Sequence, residues 1–165
     1  MNIRLATPDD FEKIWPIFHH VVQDATTYVY SPTTSKKEAY DIWMTKPVAT
    51  YVVENASGDV LGTYYIKENR PGLGSHICRC GFMVSPDCRR QGIGRKMCEH
   101  ALKHAKLLGF RGMQLGYVVS TNKASVALWL SMGFTHVGTV PKAFQHRELG
   151  DVDVLIMYQD LTREL

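Results

Sequence analysis

Residues 87–97, Asp-Cys-Arg-Arg-Gln-Gly-Ile-Gly-Arg-Lys-Met, place four cations and two glycines spaced two apart at the start of an apolar helical repeat. The first turn of a helix leaves backbone N–H groups without partners and carries about half a positive charge, and glycines let a ligand approach the backbone closely. Arg89, Arg90 and Arg95 add guanidinium forks that suit phosphate oxygens. Phosphate binding is the chemistry expected of this stretch, and a solvated basic loop is the competing reading of the same residues. Two better-known phosphate loops do not fit. The Gly-x-x-x-x-Gly-Lys-[Ser/Thr] spacing is absent, and Met97 stands where the dinucleotide fingerprint needs its third glycine.

A second candidate constellation, His76-x-Cys78-x-Cys80, carries metal-ligand residue types. On a strand these three would share one face at about 6.5 Å spacing, unlike the tight turns that close tetrahedral sites. With no fourth ligand at a familiar spacing, no metal is expected and buried thiols are the simpler account. The same alternation puts Arg79 on the opposite face. There it reads either as a plain strand arginine or as a two-point receptor for a substrate carboxylate.

The elements that must position these residues follow from periodicity. A short strand, 2–6, leads into Thr7-Pro8-Asp9-Asp10, a capped helix start, with apolar residues from Phe11 to Val22 at helical spacing and Pro16 expected to kink the helix. A polar segment precedes a second short helix near 36–44. "ATYVVE", "NASGD" and "VLGTYYIK" then read as a β-hairpin, and 75–84 as a third strand that ends at the cationic loop. Ile93, Met97, Ala101, Ala105 and Leu108 form one stripe of a helix of about 18 residues capped at Gly109. Strand 111–119, helix 120–133, strand 134–140 and strand 151–161 complete the order β-α-α-β-β-β-α-β-α-β-β. The expected fold class is α/β (α+β): a mixed, mostly antiparallel sheet of about seven strands with helices on both faces, in a single domain over residues 1–165.

The chain has 165 residues, 45% hydrophobic and 21% charged, with a net charge of +3. That balance leaves little electrostatic footprint for nucleic acid, so a nucleic-acid-binding module is the weakest reading. No apolar run approaches the ~20 residues that span a bilayer, so no membrane partner is expected. Four cysteines without a Cys-x-x-Cys pair, and no secretory leader, give a reduced, cytoplasmic setting as the expectation.

Arg89-x-x-Gly92-x-Gly94 matches the [Arg/Gln]-x-x-Gly-x-[Gly/Ala] signature of the GCN5-related N-acetyltransferases (GNAT), and Asn122-x-x-Ser125-x-x-x-Trp129-x-x-x-Gly133-Phe134 resembles their Asn-x-x-Ala-x-x-x-Tyr-x-x-x-Gly-Phe helix. The resemblance extends over essentially the whole chain. "LGTYYIK", "SHICRCGFMV" and "STNKAS" look like the fungal enzymes that acetylate proline analogues such as azetidine-2-carboxylate. The C-terminal "KAFQHRELGDVDVLIMYQDL" is similar to the phosphinothricin acetyltransferase group.

What the resemblance implies is acetyl-CoA as cosubstrate, with no metal. Direct transfer in a ternary complex to a small-molecule amine is implied, an amino acid or toxic analogue among the candidates. The cofactor-binding residues implied are Phe82, Met83 and Val84 along the acyl-pantetheine arm, Arg89, Arg90, Gln91, Gly92, Ile93, Gly94 and Arg95 around the pyrophosphate, and Asn122, Ser125 and Trp129 on the following helix. Asn122 is also a helix-cap residue and is implied as catalytic. Trp129 occupies the place of the tyrosine that in many members protonates the thiolate, and indole N–H has no comparable acidity. Tyr117, water or no acid at all are the alternatives. Glu68 and His76 are candidate bases at strand ends, or solvated turn residues. Arg79, Tyr28, Tyr30, Tyr64 and His146, the last in the loop before the final strand, are the acceptor-site candidates. In the fungal group a polar amide residue takes the place of Arg79. Protein N-terminal or lysine acetylation, and a silent acetyl-CoA sensor, are the alternative functions, and a homodimer is an open assembly.

Overall fold

The computed structural model describes residues 1–162. In chain order the elements are β1 (Asn2–Leu5), α1 (Phe11–Asp24), α2 (Lys36–Tyr40) continued by a π turn (Asp41–Thr45), β2 (Ala49–Glu54), β3 (Val60–Glu68), β4 (Ile77–Val84), α3 (Ile93–Leu107), β5 (Gly112–Val119), α4 (Lys123–Ser131), β6 (Thr135–His146) and β7 (Gly150–Asp160). This is the order that periodicity predicts.

Local chemistry sets the helix starts. The Asp10 carboxylate accepts from the Thr7 backbone N–H at 2.7 Å and its hydroxyl at 3.0 Å, and from both Arg4 Nη atoms at 2.7 and 2.8 Å. These donors hold the Asp10 carboxyl well below the usual carboxylate range, the Arg4 hydrogen bonds first among them. Pro16 sits inside α1 without ending it. The amide it lacks would have bonded the carbonyl of Glu12, four residues back. Gly109 takes φ +85° directly beyond α3. Leu108, expected on the buried stripe, falls past the helix end and is exposed.

The sheet runs β1-β2-β3-β4-β5-β7-β6. Every pairing is antiparallel except β4 with β5, which is parallel. On one face α1 and α2 bury Ile14, Phe18, Val22 and Trp43 against Val52, Tyr65 and Met83. On the other, Met97, Ala101 and Ala105 of α3 and Trp129 of α4 pack on Tyr64, Ile66, Cys78 and Met113. β6 extends to His146, well past the expected end at residue 140. The strand breaks register between Val140 and Phe144, with Lys142 at φ +52° and its N–H bonded to Asp153 Oδ1 at 2.9 Å, and then resumes pairing with β7. Pro141 reads locally as a terminator, and only the partner strand carries the ladder past it.

The feature that makes a site is a failure of pairing. β4 and β5 meet only at Ile77 with Gly112 and Cys78 with Met113, after which the strands separate.

Candidate active site

The register of β4 decides which backbone groups face the gap. Ser85 N–H bonds Leu61 and Asn69 N–H bonds Ile77, so odd-numbered residues of β4 exchange hydrogen bonds with β3. Even-numbered residues point the other way, as the bond from Arg111 N–H to the His76 carbonyl shows. Beyond Cys78 the even residues Cys80, Phe82 and Val84 therefore turn N–H and C=O into a gap with no strand opposite. Met83 was expected among them. Its backbone is committed to Thr63 and its side chain is buried on the α1/α2 face.

The gap opens a cavity of about 1010 Å³ that is lined from both faces of the sheet. On the α3/α4 side lie Arg89, Arg90, Gly92, Ile93, Gly94, Arg95, Asn122, Ser125 and Trp129. On the α1/α2 side lie Tyr28, Tyr30, Tyr65, Arg79 and Gly81, with His146 at the rim of β6.

At the first of these ends α3 begins without a side-chain cap, and its earliest backbone acceptance is Lys96 N–H to Gly92 carbonyl at 3.1 Å. The N–H groups of Ile93, Gly94 and Arg95 thus have no intrahelical partner. Gly92 takes φ +74°, a conformation that a Cβ would strain, and a Cβ there would meet nothing within 4 Å. Arg90 also stands at φ +63°. The loop is a bare, positively polarised cradle, the donor set that a pyrophosphate requires. Two of the expected residues differ in what their side chains do, although Arg95 still lines the cavity and offers its backbone N–H. Gln91 is exposed and does not line the cavity, and Arg95 reaches across to α4, donating to Ser131 Oγ at 2.9 Å and to Met132 Sδ at 3.3 Å. Arg89 pairs with Asp24 at the end of α1 (3.5 Å).

Asn122 is the α4 cap. Its Oδ1 accepts from Ser125 N–H at 3.2 Å, which leaves the two Nδ2 donors uncommitted to the cap. Trp129 is buried, with its ring centroid 5.0 Å from that of Phe82 and 6.1 Å from that of Phe134. It serves as an apolar wall. Tyr117 lies beside the break in the β5–β7 register and is exposed, and its hydroxyl donates to the Ala143 carbonyl. Cys80 lines the cavity, and burial pushes its thiol well above the ordinary thiol range.

On the opposite face the Tyr28 hydroxyl donates to the Phe82 carbonyl at 2.9 Å, so this loop tyrosine reads the unpaired edge of β4 directly. Burial raises the Tyr28 and Tyr30 hydroxyls above the usual phenol value and keeps both protonated. Tyr65 stands against Gly81, where a Cβ would lie 2.6 Å from the ring.

Three expected residues lie elsewhere. Tyr64 is fully buried under α3, its hydroxyl 2.5 Å from His100 Nδ1, because strand alternation turns it to the face opposite Tyr65. Glu68 is exposed at the end of β3, and His76 is half-buried before β4; neither lines the cavity. His146, expected in a loop, ends β6 in register with Gly150. Sequence reasoning missed Tyr65 and Gly81. Alternation from Arg79 would have found both, since 79, 81 and 83 share a face and 65 pairs with 81. Among the described residues no group of three or more His, Cys, Asp or Glu is arranged to hold a metal ion.

Two loops at the Tyr28 and His146 end of the cavity are joined. Arg147 N–H in the β6–β7 turn donates to the Ala25 carbonyl after α1 at 3.2 Å, between neighbours, His146 and Asp24, that both line the cavity.

Comparison with known proteins bears on this geometry. Residues 15–134 match the model of the acetyltransferase (GNAT) family. A GCN5-related N-acetyltransferase from Kribbella flavida superposes with a TM-score of 0.92 at 38% identity, over 96% of both chains. The L-amino acid N-acyltransferase MnaT of Escherichia coli is 28% identical over 86% of this chain and 84% of its own length. The N-acetyltransferase aca1 of Schizosaccharomyces pombe is 43% identical over 51% of this chain, and that match spans only 40% of the yeast protein. With the parted β4–β5 pair, the uncapped α3 behind Arg89-x-x-Gly92-x-Gly94 and the match over residues 15–134, the chain belongs to the GNAT family of acetyltransferases.

Proposed function

We propose that the protein is an acetyl-CoA-dependent N-acetyltransferase whose acceptor is the amine of a small molecule, acetylated by direct transfer in a ternary complex. One observation carries the choice of acceptor: the hydrogen bond from Arg147 to Ala25 ties the loop after α1 to the β6–β7 turn beside the cavity-lining Asp24 and His146, which narrows the room for an extended peptide there. A cavity of about 1010 Å³ that crosses the sheet still admits a cofactor arm from one face and a small amine from the other.

The residues present fit acetyl-CoA. The N–H groups at the start of α3, with Arg89 and Arg90, would hold the pyrophosphate. The N–H groups of Phe82 and Val84 would hold the arm and the thioester oxygen, and the Asn122 amide would reach the arm from α4. Acetyl-CoA would supply an activated acetyl carbon, the amine nitrogen replacing its sulfur, with the amine proton passing to the departing thiolate directly or through solvent. Fixed backbone donors aimed where negative charge develops need no reorganisation during the reaction. Trp129 and Phe82 wall the passage and exclude water. The Cys80 thiol is shifted away from thiolate, the wrong direction for a covalent relay, which favours direct transfer.

Thiol release from acetyl-CoA, measured against a panel of small amines and a panel of peptides, tests the reading. Turnover is expected with small amines alone. Turnover confined to peptides would move the function to protein acetylation, and tight binding without turnover on any amine would make the protein a sensor.

A further inference from the structure

We infer that the acceptor carries a carboxylate and that the Arg79 guanidinium receives it side-on through Nε. This rests on the acetyltransferase reading of the same cavity. The Nε atom of Arg79 is buried and has no hydrogen-bond partner among the described residues. A buried N–H on a permanent cation without an acceptor is costly, and in a folded chain it points to a group that the protein binds. Arg79 lines the acceptor end of the cavity, on the face of β4 that carries Gly81.

Among the described residues no acid forms an ion pair with Arg79. Directly opposite on β3 stands Lys67, a like-charged cross-strand pair, which is unfavourable by itself. Asp41, the acid that acts on Lys67, is itself paired with Lys46 at 2.7 Å. Burial lowers the Lys67 ammonium from its ordinary value, with the Arg79 charge next in effect. The Tyr30 and Tyr65 hydroxyls are hydrogen-bonded to each other and line the same end of the cavity as Arg79, so a hydroxyl lies within the polar surroundings of the guanidinium. A planar carboxylate takes parallel N–H bonds from Nε and one Nη and accepts a hydroxyl at its remaining lone pairs. One negative charge next to Arg79 and Lys67 removes the repulsion between them.

The experiment compares kcat/KM for a free amino acid, its methyl ester and the corresponding decarboxylated amine, in the wild type and in Arg79→Gln. A charge-assisted pair in such a site corresponds to about 10–150-fold. The wild type is expected to favour the free acid over the other two by that factor. Arg79→Gln should lose it for the free acid while leaving the decarboxylated amine within about threefold and the acetyl-CoA Kd unchanged. A second measurement needs no turnover: the N-acetylated amino acid should raise the Tm of the wild type and not of Arg79→Gln.

Equal use of acid and decarboxylated amine, or an equal loss on both in Arg79→Gln, overturns the inference. An Arg79-dependent Tm shift in a protein that transfers acetyl to no amine would sustain the carboxylate site and sink the transferase reading instead.

Discussion

Gly92→Ala tests the anion cradle quantitatively, and Gly109→Ala is its internal control. Both glycines have φ in the left-handed region, +74° and +85°, and at both an added Cβ meets nothing within 4 Å. Each substitution therefore has the same folding cost, about 1–2 kcal/mol for a side chain in that conformation. For a chain of this length that lowers Tm by roughly 2–8 °C. The sites differ in one respect. Gly92 borders the cavity at three unpartnered helix N–H groups, whereas Gly109 follows the far end of the same helix. If a methyl at Gly92 removes one charge-assisted hydrogen bond to pyrophosphate, about 1.5–3 kcal/mol, CoA binding weakens roughly 10–150-fold. Gly109→Ala should leave it within twofold of the wild type, about 0.4 kcal/mol. Calorimetric titration with CoA, alongside thermal melts, reads both quantities. Equal Tm losses with equal, unchanged Kd values would refute the assignment of this loop to the pyrophosphate.

The other predictions concern the walls and the pH response. Trp129→Phe should leave kcat within about threefold, because the indole acts as a wall and not as an acid, whereas Trp129→Ala should lower stability by about 3–5 kcal/mol in denaturant titration. A Cβ at Gly81 would press on Tyr65, so Gly81→Ala should raise the acceptor KM and leave the CoA Kd alone; the reverse pattern would place the acceptor on the other face. His100 is depressed to about 4, by burial first and then by the charge of His104. A depressed base stabilises the fold above the ordinary imidazole pKa of about 6.5, and this contribution is lost as pH falls from there towards 4. NMR titration of the His100 ring, with His100→Asn flattening that part of the stability profile, checks it. Asp10 is depressed as well, so its contribution is complete above the ordinary carboxylate pKa and is lost only below it. In Asp10→Asn the loss on acidification beneath about pH 4 should be smaller than in the wild type, as followed by circular dichroism.

Much of the architecture is legible in local sequence. Thr7 to Asp10 announces a helix start, Gly109 a helix end, and alternating runs at Ala49–Glu54 and Val60–Glu68 a hairpin, since caps, turns and side-chain periodicity act over a few residues. The same is true of the cradle. Its cations, its glycines and the helix it starts are contiguous from Arg89 to Lys96, so the expectation of an anion site there needs only local sequence.

Tertiary structure decides what that site serves. Which β4 amides are unpaired depends on where β5 leaves it, and residues 78 and 113 are far apart in the chain. Tyr64 and Tyr65 have equal local claims on a place in the cavity, and the two helical layers on opposite faces of the sheet separate them. That Arg79 has a buried Nε without an acceptor, and that Arg147 closes on Ala25 across 122 residues (147 − 25), arises only when strands and loops from distant parts of the chain meet. Such contacts depend on packing and on the competition for partners in a shared interior, for which neighbouring residues carry no signal.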